Sequence, residues 1–79
     1  MRAPSRLGLR LVTEENDRDS VDVFVESTDG RFCSSYAMAT NEGVLTAGGY
    51  PYEDLPLTRR QLEFLESDEV QNFLAEVGY

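Results

Sequence analysis

The stretch VDVFVESTDGRFCSSYAM, residues 21 to 38, constrains the fold of this chain more than any other. Val21, Val23 and Val25 alternate with Asp22, Phe24 and Glu26, the period of a half-buried strand. Asp29-Gly30 then interrupts the pattern. This dipeptide is a strong hairpin signal, because a type I′ turn needs positive φ at both central residues. A turn centred there sets Thr28 opposite Arg31, Ser27 opposite Phe32, Val25 opposite Ser34, Val23 opposite Tyr36 and Val21 opposite Met38. Every large residue except Phe24 then lies on one side. The other side carries Asp22, Phe24 and Glu26 opposite Ala37, Ser35 and Cys33.

Further strand patterns flank the hairpin. RLGLRLVT (6–13) sets Leu7, Leu9 and Leu11 against Arg6, Gly8 and Arg10, and GVLTA (43–47) is a shorter strand. TNEG (40–43) reads as a tight turn and GGYPYEDLP (48–56) as a loop. The C-terminal third is helical. Thr58 and Gln61 match a capping box, and Leu62 and Leu65 share a face. Ser67 followed by Asp68 and Glu69 is a second helix start. Val70, Phe73, Leu74 and Val77 repeat at helical spacing before Gly78. Residues 58–77 fit either two helices or one bent helix. Strands followed by helices predict an α+β domain: an antiparallel hairpin meander of three or four strands, with the helical segments packed on one face. The 79 residues allow a single domain, 1–79. The expected core joins Val21, Val23, Val25, Phe32, Tyr36 and Met38 to Leu7, Leu9, Leu11, Leu62, Leu65, Phe73 and Leu74.

Charge limits the functions open to such a domain. Fifteen acids against seven arginines give a net charge of −8, and the chain has no histidine. Residues 1–13 hold Arg2, Arg6 and Arg10 and no acid, so all the acids lie in residues 14–79. A field of this sign opposes direct binding to nucleic acid or anionic lipid. No run reaches the roughly 20 apolar residues of a membrane span. The basic start is not followed by the apolar region of a secretory signal. The single cysteine, Cys33, fits a reducing compartment, and the cytoplasm is the expected location.

The sequence carries no recognisable catalytic or metal-binding pattern. Without histidine the usual base near neutral pH is missing. Cys33 has no basic neighbour in the pattern to activate it, and Ser34 and Ser35 have no partner base. No enzymatic activity and no cofactor are expected. Read as an EF-hand loop from Asp17, the sequence has Val21, Asp22 and Thr28 where a carboxylate or amide, a glycine and a glutamate are required. Zinc is served by one cysteine alone. Gly48 and Gly49 lack the surrounding residues of a phosphate loop.

What remains is the display of acids. Residues 14–29 hold seven acids and only Arg18 as a counter-charge. Arg6 and Arg10 are placed to neutralise Asp22 or Glu26 across the sheet, which leaves Glu14, Glu15, Asp17 and Asp19 as the least compensated. Tyr50 and Tyr52 either fold onto the core or stand beside Glu53 and Asp54 as a contact surface, since tyrosine is enriched at binding hot spots. The candidate partner-binding residues are therefore Glu14, Glu15, Asp17, Asp19, Asp22, Glu26, Tyr50, Glu53 and Asp54. The acids Glu63, Glu66, Asp68 and Glu69 form a competing surface.

A short acidic chain with the hairpin VDVFVESTDGRFCSSYAMAT and an acidic helical C-terminal part resembles the phage-encoded anti-CRISPR proteins. Within them it is most similar in character to those directed at type I, Cascade-based systems in Pseudomonas and its mobile elements. The resemblance implies a non-enzymatic inhibitor that binds a CRISPR-Cas surveillance complex, often by occupying a DNA-binding surface as a DNA mimic. The implied partner is a DNA-binding subunit of a type I Cascade complex, met in the cytoplasm of an infected bacterial host cell. These inhibitors share no common motif, so no residue roles carry over. A monomer or weak dimer is expected. The alternative is a small acidic host interaction protein, or an antitoxin-like partner, whose charge serves solubility.

Overall fold

A computed structural model describes residues 2–79. Its elements run β1 (Ser5–Arg6), β2 (Leu9–Glu15), β3 (Val21–Ser27), β4 (Cys33–Ser35), α1 (Tyr36–Glu42), β5 (Val44–Ala47), β6 (Glu53–Pro56), α2 (Arg59–Leu65) and α3 (Asp68–Val77). The strands form one antiparallel sheet of six in sequence order. The α+β class follows the sequence; the number of strands exceeds the expected three or four, for two reasons visible in the turns.

The first reason lies at Leu7-Gly8. The segment 6–13 is not one strand, because Leu7 (φ 57°) and Gly8 (φ 78°) both take positive φ and fold Ser5–Arg6 back on Leu9–Arg10. This is the two-residue type I′ geometry, with leucine where asparagine is preferred. Leu7 therefore leaves the expected core face and stands 42% exposed. The second reason is the exit from the 48–56 loop. Glu53–Pro56 pairs with β5 in the register Leu45↔Leu55 and Thr46↔Asp54, which buries Leu45 fully. Alternation is hidden there, because Glu53, Asp54 and Pro56 are poor strand formers. On an edge strand those same residues oppose further strand addition.

The hairpin register is the one the sequence predicts where β3 and β4 run side by side: Phe24↔Ser35, Val25↔Ser34 and Glu26↔Cys33. The turn itself differs. Only Gly30 has positive φ (77°); Asp29 does not, and the Gly30 amide donates to the Ser27 carbonyl at 2.9 Å. Two side chains hold this wider turn. The Ser27 hydroxyl donates to Asp29 Oδ1 at 2.6 Å, and that same carboxylate oxygen accepts the Arg31 amide at 3.0 Å.

Beyond Ser35 the expected strand stops. Ser35 is the N-cap of α1, its hydroxyl accepting the Met38 amide at 3.1 Å, and Gly43 closes the helix at φ 70°. The expected turn TNEG is therefore the end of a helix. Ala37, Met38 and Ala39 are good helix formers, with Thr40 the only β-branched residue of the segment. Consequently Val23 does not face Tyr36, nor Val21 Met38. Met38 is 37% exposed, Val21 is half-buried, and Ala39 takes the core position instead.

Residues 58–77 resolve into two helices. The Thr58 capping box is complete, and Ser67 caps α3 with Asp68 and Glu69 in its first turn. Gly78 (φ 82°) ends α3: its amide reaches the Ala75 carbonyl, and the Tyr79 amide reaches Leu74 at 3.0 Å, as in a Schellman motif. Their buried side chains are Phe64, Leu65, Val70, Phe73 and Leu74. Phe64 replaces the expected Leu62, which is half-buried. These pack with Leu9, Leu11, Val23, Val25, Phe32 and Leu45 of the sheet. Tyr36 fastens the layers, its hydroxyl donating to the Leu65 carbonyl at 2.7 Å and accepting from Gln71 Nε2 at 3.1 Å.

Two substitutions test this account. Phe73→Ala should lower the unfolding free energy by about 3 to 5 kcal/mol, the usual range for emptying a buried phenylalanine site. Leu7→Asn should raise it by about 1 kcal/mol, because asparagine relieves the left-handed conformation that leucine tolerates poorly. Urea unfolding of both variants reads the two signs. A loss of stability in Leu7→Asn would place Leu7 in the core after all.

Candidate functional site

The helices cover one side of the sheet only. The opposite side presents Arg10, Val12 and Glu14 from β2 and Asp22, Phe24 and Glu26 from β3. Cys33 and Ser35 follow from β4, Val44 and Thr46 from β5, and Asp54 and Pro56 from β6. None of these residues is buried. The face is thus a strip of apolar and small side chains, with Val12 directly opposite Phe24, flanked by four carboxylates and a single arginine.

The register decides which acids are compensated. Arg10 stands directly across from Glu26 and its Nε pairs with Glu26 Oε1. Arg6 points to the other side and pairs with Glu69 at 2.8 Å, not with the sheet acids expected for it. Arg31 pairs with Glu53 at 3.3 Å. Glu14 and Asp22, by contrast, face each other across β2 and β3. Directly opposed like charges destabilise a sheet. Asp22 receives only Asn16 Nδ2 at 3.4 Å, and no arginine pairs with either acid among the described residues.

The turn joining these strands, residues 16–20, is organised by Asn16 and not by its acids. Asn16 Oδ1 accepts the Arg18 amide and the Ser20 hydroxyl, each at 2.9 Å, while the Asn16 amide donates to the Ser20 carbonyl at 3.1 Å. Asp19 sits at φ 56°. Asp17 and Asp19 are exposed and form no ion pair among the described residues. Glu15 faces Val21 on the helix side of the sheet and is exposed. No group of three or more histidine, cysteine or acidic side chains is arranged to hold a metal ion among the described residues.

The meander separates the expected contact residues into two sets. Glu14, Glu15, Asp17, Asp19 and Asp22 lie at the end of the sheet formed by the β2–β3 turn. The β1–β2, β3–β4 and β5–β6 turns lie at the other end, where the Thr28 amide donates to the Gly8 carbonyl at 2.9 Å and Arg31 meets Glu53. The seven residues of β3 separate the two ends by roughly 20 Å at about 3.3 Å per residue. Tyr50 and Tyr52 stand at the second end, 103% and 62% exposed, so neither folds onto the core. Glu26 and Asp54 lie on the open face near the second end, in one row with Cys33 and Thr46.

Two side chains titrate away from their ordinary values. The Asp29 carboxyl is held low, first by the Ser27 hydroxyl and then by the Arg31 amide. Its contribution to the turn is therefore complete above the ordinary carboxylate range and is lost as pH falls through the lowered value. The Cys33 thiol is pushed up, first by its partial cover on the sheet and then by the charges of Glu26 and Glu14. A thiol raised in this way stays protonated at neutral pH and is a poor nucleophile.

A groove of about 480 Å³ lies on the helix side, lined by Arg6, Leu7, Arg60, Glu63, Phe64, Ser67, Asp68 and Glu69. Its charges are mixed, and Arg6 and Glu69 are spent on each other. No helix is long and apolar enough to cross a membrane among the described residues. Comparison with known proteins finds no matching family model, no similar curated protein and no similar solved structure.

Alkylation tests the electrostatics of the open face. Cys33 should react with iodoacetamide near neutral pH more slowly in the folded protein than in the denatured chain. Glu26→Gln should speed the folded reaction by removing one of the charges that hold the proton. A folded thiol faster than the denatured one would mean that cations, not carboxylates, dominate around it.

Proposed function

We propose that the protein is a non-enzymatic binder that presents the open face of its sheet, acidic end included, to a basic surface on a protein partner. The observation that carries this reading is the uncompensated Glu14–Asp22 pair at the end of a face whose centre is Phe24 and Val12. Folding alone gives no reason to oppose two carboxylates, and departures from local rules concentrate where a protein meets its partners. A partner cation placed between them would remove the repulsion, while Phe24 and Val12 supply apolar contact beside it. Carboxylates at strand spacing on a rigid sheet also suit a groove built for phosphates.

The resemblance to type I anti-CRISPR proteins supplies the partner class. On this proposal the chain inhibits a CRISPR-Cas surveillance complex by docking on a DNA-binding subunit of Cascade and excluding target DNA. It would do so in the cytoplasm of an infected bacterial cell, without cofactor or direct contact to nucleic acid. One observation favours the other reading, an acidic host or antitoxin-like partner whose charge serves solubility. Acids are also spread over the exposed sides of the helices, at Glu42, Glu63, Glu66 and Glu76.

Charge reversal separates the two. Glu14→Lys with Asp22→Lys should abolish capture of a type I Cascade complex, whereas Glu66→Lys with Glu76→Lys should leave it intact. Neither pair lies in the core, so the melting temperature should change little. Capture should also weaken steeply as salt rises toward about 1 M, where the screening length is about 3 Å. No binding to Cascade, or equal loss from both double variants, would defeat the docking proposal and leave solubility as the role of the charge.

A further inference from the structure

The β5–β6 tip carries two aromatic rings that the core does not use. Tyr50 and Tyr52 hold their rings in water, 103% and 62% exposed, in a chain with only eight aromatic residues. Two acids follow them. Glu53 is paired with Arg31, but Asp54, on the open face opposite Thr46, has no ion pair among the described residues. Tyr52 lies just outside β6, two residues before Asp54, so a chain that holds its extended course into the strand sets the ring and the carboxylate on one side.

The same end of the sheet already shows what such a pair of groups holds. The Arg31 guanidinium lies 5.2 Å from the centre of the Phe32 ring while its Nη2 bonds Glu53 at 3.3 Å. An aromatic face and a carboxylate together grip one planar cation. Tyr52 and Asp54 offer the same two kinds of group at this tip, with Tyr50 a further exposed ring in the same turn.

We propose that this tip is an arginine-reading contact: the Tyr52 ring and the Asp54 carboxylate receive a guanidinium from an arginine-bearing segment of a protein partner, and Tyr50 packs against its stem. This contact rests on the reading of the protein as a binder of a basic partner and adds the residue type it recognises. Arginine is favoured over lysine because its planar fork stacks on a ring and bonds a carboxylate at the same time, and it sheds water more readily. Nucleic acid is disfavoured because Glu53 and Asp54 repel phosphate. The tip lies about 20 Å along the strands and about 14 Å across them from Asp22, roughly 25 Å in all, within the span of an ordinary interface of about 800 Å² per partner.

The probe is a peptide of alternating arginine and glycine, with a lysine–glycine peptide of equal charge as its control, each titrated into the ¹⁵N-labelled protein. The arginine peptide should shift the amides of residues 48–54, with about tenfold weaker response to the lysine peptide. Tyr52→Ala should cost about tenfold in affinity, the upper part of the range for a cation over a ring, and Tyr52→Phe should restore it. Equal response to both peptides, or shifts confined to residues 14–22, would overturn the proposal. So would self-association that Tyr52→Ala abolishes, which would assign the tip to a second copy of the chain. Capture of Cascade separates this contact from the reading beneath it. If Tyr52→Ala leaves capture intact while Glu14→Lys with Asp22→Lys abolishes it, the arginine contact fails alone; if neither variant matters, both fail.

Discussion

The seven-pair ladder between β2 and β3, from Leu9↔Ser27 to Glu15↔Val21, is the frame on which the rest of the domain is built. Its register sends Leu9, Leu11, Val23 and Val25 to one side, and only there is enough apolar surface gathered to hold α2 and α3. A slip of one residue would move that whole set to water. The same register, read on the other side, opposes Arg10 to Glu26 and Glu14 to Asp22. One pair is compensated and the other is not. The stability of the core and the electrostatics of the open face are thus two consequences of a single alignment.

Polar groups act as joints where the ladder gives out. Between β4 and β5 only Cys33↔Thr46 is in register, and the buried Ser34 hydroxyl accepts the Thr46 amide at 3.1 Å in support. Ser27, also buried, accepts the Phe32 amide at 3.0 Å and closes the hairpin from inside. Ser35 turns the chain from strand to helix, and the helix it starts delivers Tyr36 to the end of α2. No buried side-chain nitrogen or oxygen lacks a partner among the described residues. A small domain gains from this, because each unsatisfied buried group costs about 1 to 3 kcal/mol against a stability of only some 5 to 15 kcal/mol.

The open face carries apolar, acidic and arginine side chains within one register. The proposed contact would use apolar side chains at its centre, opposed acids at one end and exposed tyrosines at the other, an apolar middle with a charged rim. The edges contribute by what they refuse. β1 is two residues long, and β6 carries Glu53, Asp54 and Pro56, so strand addition is disfavoured on both sides. The proposed contact is accordingly one through the face and the turns at its ends.

The sequence by itself determined the features that depend on neighbours a few residues apart. These were the alternation of β3, the offset of the β3–β4 pairing, the capping box at Thr58, the start at Ser67 and the stop at Gly78. Each is a local pattern with a local cause. The tertiary structure alone decided where a pattern was interrupted or which face won. Leucines at alternate positions continued past Leu7 on paper, but a positive φ at Gly8 turned the chain, and that depends on β1 finding β2. Tyr36, Ala37 and Met38 fitted a strand by position, yet the cap at Ser35 and the burial of Ala39 against the sheet go with a helix there. Of the candidate contact residues, the acids of 14–22 were legible as a charge run, while their division from Tyr50, Glu53 and Asp54 was not. Nor was the pairing of Arg6 with Glu69, 63 residues away. Charge along a chain gives its amount; only cross-strand and sheet-to-helix packing decides which charges meet.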